Sequence, residues 1–195
     1  MRILCLHGWR TSGAILRDQM LEVSQALEAG IGPALDLHFV DAPHAASGPA
    51  QDVVAANWPG VPYFEWWDKT EDGAYAGADE TLAYLREYDQ RNGPFEGVVG
   101  FSQGAALASL LCSGSGAPSP TLPELRFAVI MSGFCPADKT IKAAMAAAEP
   151  LRVPAVVTHG KKDFNKKGSE LLAAMWAPGL ATLVEHGAGH VVPLS

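Results

Sequence analysis

Six short apolar runs recur along the chain, each separated by enough residues for a helix. They are "RILCL" at 2–6, "LDLHFV" at 35–40, "GVVGF" at 97–101, "FAVIMS" at 127–132, "AVVTH" at 155–159 and "ATLVE" at 181–185. Most are continuously apolar rather than alternating, which is the pattern of strands covered on both faces. Helical patterns lie between them, over 13–28, 78–91, 103–112, 139–148 and 167–176. Strands alternating with helices predict an α/β protein whose mainly parallel central sheet is flanked by helices and joined by right-handed crossovers. No internal repeat or long linker divides the chain, and 195 residues suit a single domain, 1–195, with a substantial core. The stretch "CSGSGAPSPTLPE" at 112–124 reads as a surface loop.

One segment breaks the alternation. Residues 41–77, "DAPHAASGPAQDVVAANWPGVPYFEWWDKTEDGAYAG", are rich in Pro and Gly and carry Trp58, Tyr63, Phe64, Trp66 and Trp67. Long loops are uncommon in compact domains and are often functional. The segment follows the run at 35–40, so it leaves the sheet at a strand's carboxyl end, where ligands bind in sheets of this kind. Tyr63, Phe64, Trp66 and Trp67 are therefore expected to wall a substrate pocket.

Charge narrows the partners. The net charge is −7 and no run of Lys or Arg occurs, so a nucleic-acid face is not expected. The amino-terminal apolar run, Ile3 to Leu6, is too short for a signal peptide or a membrane span, so a soluble, cytoplasmic protein is expected. Three cysteines do not suggest a disulfide framework, and Cys5 and Cys112, set in apolar runs, read as core. Nothing in the sequence indicates an oligomeric state.

The chemistry concentrates at "VVGFSQGAALA". Ser102 stands between Gly100 and Gly104, where a strand gives way to a helix. A nucleophile elbow needs this arrangement, because its sharp turn leaves no room for side chains at the flanking positions. A serine that merely caps a helix is the plain alternative, but the alternating context favours the elbow. The N–H of Gln103, opening the helix, is then a candidate oxyanion donor.

A serine needs a base, and the base needs an orienting acid. In this architecture the order is serine, acid, histidine. His190, in the Gly-rich "HGAGHVV" after the last strand, is the expected base; His186 sits nearer the strand end. Asp163, shortly past the strand at 155–159, is the expected acid, with Asp138 a weaker candidate and His159 a brace for the loop. The loop after the first strand, "LCLHGWRTSG", offers the N–H of Trp9 as a second oxyanion donor. His159 and Asp163 find no third ligand with matching spacing, so no metal is expected.

Together, "ILCLHGWRTSG", "APH", "FEWWD", "VVGFSQGAALA", "VIMSGF", "HGKKD" and "GAGHVVP" resemble the FSH family of serine hydrolases along nearly the whole chain. The resemblance implies an α/β-hydrolase fold, with Ser102, Asp163 and His190 as triad and Trp9 and Gln103 as oxyanion donors. It implies cofactor-free esterase or thioesterase activity on small acyl esters or thioesters. Acyl transfer, including lactone formation, is the enzymatic alternative, and a catalytically silent binding protein the non-enzymatic one. Family members usually continue into a final helix, which is expected to be missing here because five residues follow His190.

Overall fold

The computed structural model describes residues 1–31, 34–114, 122 and 124–193. Its main sheet has six strands: β1 (Arg2–Leu6), β2 (Asp36–Val40), β7 (Gly97–Phe101), β8 (Phe127–Met131), β9 (Ala155–Gly160) and β10 (Ala181–His186). Their spatial order is β10-β9-β8-β7-β1-β2, and every neighbouring pair is parallel. The chain starts at β1, steps to the β2 edge, then returns to the other side of β1 at β7 and proceeds outward. The order therefore reverses between β1 and β7, and a crevice opens there at the strands' carboxyl ends.

Alternation along the strands divides the core. Leu4, Leu6, Val98, Ile130 and Val157 face α4 (Ala78–Asn92), α5 (Gln103–Ser113), α6 (Lys139–Ala147) and α7 (Lys166–Ala173). Ile3, Cys5, Val99, Phe101 and Met131 face the other way, onto Leu16 of α1 (Gly13–Gln19) and onto Met20. Every residue of α5 is buried, as its mostly apolar "GAALASLLC" requires, with the Ser109 hydroxyl donating to the Ala105 oxygen. Cys5 and Cys112 are buried free thiols, whose pKa values burial pushes up to about 12.

The expected helix over 13–28 is two helices, α1 and α2 (Leu21–Ile31), with a break at Met20. The segment 41–77 is less irregular than expected. It holds the six-residue α3 (Asp52–Asn57) and two small antiparallel ladders, β3 (His44–Ala45) with β4 (Phe64–Glu65) and β5 (Asp68–Lys69) with β6 (Tyr75–Ala76). Residues 115–121 and 123 of the expected surface loop lie outside the described residues. Among the described residues no helix follows β10, and Val156 and Val184, on one face of the sheet, are 39% and 43% exposed. No helix of the described residues is long and apolar enough to cross a membrane.

Candidate active site

Ser102 caps α5 with φ 54° and ψ −112°, a left-handed φ that a non-glycine residue adopts at a cost. The reason for its two glycines is steric. A Cβ on Gly100 would lie 2.2 Å from the Gly104 carbonyl oxygen, and one on Gly104 would lie 2.1 Å from the Leu6 carbonyl oxygen. No side chain fits at either position, so β1, β7 and α5 approach closely and lift the serine to the sheet edge.

His190 follows β10 and bridges Ser102 to Asp163. Its Nε2 is 2.9 Å from Ser102 Oγ, and its Nδ1 is 2.9 Å from Asp163 Oδ1. Because the carboxylate only accepts, Nδ1 carries the proton and Nε2 is free to take one. Phe101 and Phe164 hold the ring, with centroids 5.2 Å and 4.5 Å from it. Asp163 is buried, which by itself raises its pKa. The Ser132 hydroxyl, the Asn165 N–H at 2.7 Å and His190 outweigh that and hold it below the ordinary carboxylate value. The candidates not joined to Ser102 have other partners. Asp138 accepts from the Thr140, Ile141 and Tyr75 N–H groups and so caps α6. His159 is buried with Nδ1 3.3 Å from the Gly160 oxygen. Among the described residues no cluster of three metal-ligating side chains occurs.

The loop after β1 is braced by His7. His7 is fully buried, and its Nε2 accepts the Ala42 N–H at 3.0 Å, so its proton sits on Nδ1. His7 Nδ1 and the Thr11 hydroxyl both donate to the Gly8 carbonyl oxygen, each at 2.8 Å. Fixing this carbonyl directs the N–H of the same planar peptide, that of Trp9, the opposite way. The loop runs beside the serine: a Cβ on Gly8 would lie 3.6 Å from Ser102 Cβ. The Trp9 and Gln103 N–H groups have no hydrogen-bond partner among the described residues, which leaves both free for an oxyanion.

Burial holds the His7 pKa down to about 4, against smaller opposing effects of Gly8 and Asp41. Between pH 6.5 and about 4 the unfolded chain takes a proton that the native state refuses, so stability falls as pH falls through that window. The loss approaches about 3 kcal/mol. Urea unfolding at pH 7 and pH 4.5 should therefore give a smaller difference for His7→Gln than for the native protein; equal differences would contradict the assignment.

Two clefts meet at Ser102, and Trp9, Gln51 and His190 line both. The first, about 330 Å³, lies between α1, α3 and the chain beyond His190, and Val53, Val54, Trp58 and Val192 make it apolar. The second, about 450 Å³, is lined by Trp67, Lys69, Tyr75, Phe134 and Phe164. Of the four aromatics expected to wall a pocket, only Trp67 lines either cleft, stacked on Tyr75 at 4.9 Å. Trp66 is fully buried in the core and donates its indole N–H to the His7 oxygen. Phe64 packs against that core, and Tyr63 donates its hydroxyl to the Trp58 oxygen. Tyr63, Phe64 and Trp66, expected to wall a pocket, thus line neither cleft and fasten the segment instead, while Val53 and Val54 of α3 line the first cleft. The fastening reaches the elbow, because the Gln103 side chain accepts the Trp66 N–H and donates to the Trp67 oxygen.

A family model described as "Serine hydrolase (FSH1)" matches residues 1–195. The chain is similar to the human esterase OVCA2, 31% identical over 210 residues that cover 99% of this chain and 89% of that protein. It is likewise similar to the Drosophila melanogaster esterase CG5412, 30% identical over 206 residues, 99% of this chain and 68% of that one. Among solved structures the esterase PE8 matches with TM-score 0.64 at 22% identity, over 98% of this chain and 85% of that one, a likeness of fold.

Proposed function

The chain belongs to the FSH1 family of serine hydrolases, and on that premise we propose that it cleaves carboxylic esters and thioesters of small acyl substrates through an acyl-enzyme on Ser102. Its parallel sheet with helices on both faces is the α/β-hydrolase fold. The observation that carries the proposal is the unbroken chain Ser102–His190–Asp163, two hydrogen bonds of 2.9 Å, opening on an apolar cleft.

Each step has a residue. Ser102 Oγ attacks the carbonyl carbon as its proton passes to His190 Nε2. Asp163 stabilises the resulting imidazolium and keeps Nδ1 protonated. The carbonyl oxygen, now an anion, lies between the N–H groups of Trp9 and Gln103, each contributing roughly 3 kcal/mol to the transition state. The imidazolium returns the proton to the departing alcohol or thiol. Water, deprotonated by the same nitrogen, then attacks the acyl-serine and releases the acid.

The acyl chain belongs in the 330 Å³ cleft, whose walls are mainly apolar. The alcohol or thiol belongs in the second cleft, which Trp67, Phe164 and Lys69 help to line. Each methylene buried in the first cleft contributes up to about 0.8 kcal/mol, close to fourfold in kcat/KM, until the cleft is full. A series of p-nitrophenyl esters and acyl-CoA thioesters of rising length tests this. Efficiency should climb and then level off for both, and Val54→Phe should make it level off at a shorter chain. An unchanged length dependence in that variant would remove the acyl chain from this cleft, and turnover of neither series would refute the proposed activity.

A further inference from the structure

Ser132 follows β8, inside the "VIMSGF" stretch that the mechanism leaves unused. It is fully buried and has φ 53°, a backbone conformation a glycine would adopt without cost. Its backbone is tied at both ends. The Ser132 N–H donates to the Thr158 oxygen at 2.8 Å, and its carbonyl accepts from Asn165 Nδ2 at 3.3 Å. The same Asn165 amide reaches the Gly133 oxygen at 2.9 Å, and Ser169 Oγ donates to it at 2.7 Å. Asn165 also gives its backbone N–H to Asp163 Oδ1. One network thus ties the end of β8 to the loop that carries the acid.

Within it, two buried polar atoms are left over. Asp163 Oδ2 has no hydrogen-bond partner of good geometry, and neither has Ser132 Oγ. Oδ1 by contrast serves both Asn165 and His190. A buried carboxylate oxygen without a donor is costly, and so is a buried hydroxyl without an acceptor. The two orphaned atoms lie in one network, because Asn165 holds the Ser132 carbonyl with its side chain and Asp163 Oδ1 with its backbone N–H. A hydroxyl hydrogen is free to rotate toward an acceptor.

We propose that Ser132 is a positioning residue for the proposed triad: its strained turn aims the hydroxyl at Asp163 Oδ2, which fixes the carboxylate plane so that Oδ1 meets His190 Nδ1. Ser132 touches no substrate and acts through Asp163. The strain is what aims the side chain, so a residue that relaxes the turn without a hydroxyl loses the function. The inference rests on the reading of Ser102, His190 and Asp163 as a triad.

Two variants separate this role from a structural one. If Ser132 served only the backbone turn, Ser132→Gly would relax the φ and keep full activity. On the proposal, Ser132→Gly and Ser132→Ala both lower kcat about tenfold with KM unchanged, and the glycine variant melts no lower than the alanine one. A glycine variant with kcat within threefold of the native protein overturns the proposal, as does a KM that rises as far as kcat falls. A cycle with Asp163→Ala gives a second reading. In that background the change Ser132→Ala should cost less than twofold, because its target is gone; a further tenfold loss would place the hydroxyl's action elsewhere. Labelling of the native protein by a fluorophosphonate distinguishes the two levels: no label on Ser102 sinks the triad itself, whereas a labelled native enzyme with unaffected Ser132 variants sinks only this inference.

Discussion

Ser102→Ala should lower ester turnover on the order of 10⁶-fold while leaving the protein folded. The size follows from what remains. Without Oγ there is no atom to form the acyl-enzyme, and only the two oxyanion N–H groups and the clefts still act on a substrate attacked by water. The fold should survive because the hydroxyl bonds only to His190 Nε2, and because the strained backbone is held by other contacts. The Ser102 N–H donates to the Met131 oxygen at 2.9 Å, and its carbonyl accepts from Ala105 and Ala106 in the first turn of α5. Alanine leaves all of these in place. Turnover of p-nitrophenyl acetate, with a thermal melt of the same sample, checks both halves. Activity within tenfold of the native enzyme in a folded variant would remove Ser102 from the mechanism.

Asp163→Ala should cost on the order of 10⁴-fold in kcat, the loss recorded when a triad acid alone is removed. The imidazolium then loses its counter-charge, and nothing holds the Nδ1 proton in place. The local bonds also rank the milder variant. Oδ1 accepts the Asn165 N–H at 2.7 Å as well as His190, so an asparagine at 163 would keep its carbonyl oxygen there and direct its amide toward Ser132. That preserves the histidine tautomer and removes only the charge, so Asp163→Asn should be less damaged than Asp163→Ala. Asp138→Asn should keep turnover within a fewfold of native, since Asp138 serves α6 and the Tyr75 N–H rather than His190. A large loss in Asp138→Asn beside a small one in Asp163→Ala would show that the acid had been misassigned.

How far the sequence leads depends on whether the determinant is local. Most of the six strands are continuous apolar runs, and their bounds differ from the expected ones by at most one residue. The elbow is equally local, since two glycines around a serine state a steric demand on their own. Met20 was invisible as a break because it is apolar, favours helix and lies fully buried, so the apolar pattern runs straight through it. The segment 41–77 was read as irregular for a different reason. Its ladders are two residues per strand, and distant side chains hold them. The buried Glu65 accepts from Arg10 Nε and from the Ser47 N–H, and Gln103 pairs with the Trp66–Trp67 backbone.

The pocket wall shows the limit most plainly. Large aromatics were the obvious candidates, but Trp66 sits under the loop after β1 as core, while the modest Val53 and Val54 of a six-residue helix line the cleft at Ser102. A helix that short has no periodicity to read. Ser132 was hidden as well, because a polar residue ending an apolar run looks like a strand terminus, and its positive φ exists only in the folded chain.

The central claim is that Ser102 is the nucleophile that His190 activates. Its most direct test is treatment of the native protein with a fluorophosphonate, followed by mass mapping of the modified peptide. The account predicts one adduct, on Ser102, formed at a rate that collapses in His190→Ala and absent from Ser102→Ala. An adduct on another residue, or none on the folded native protein, would contradict it.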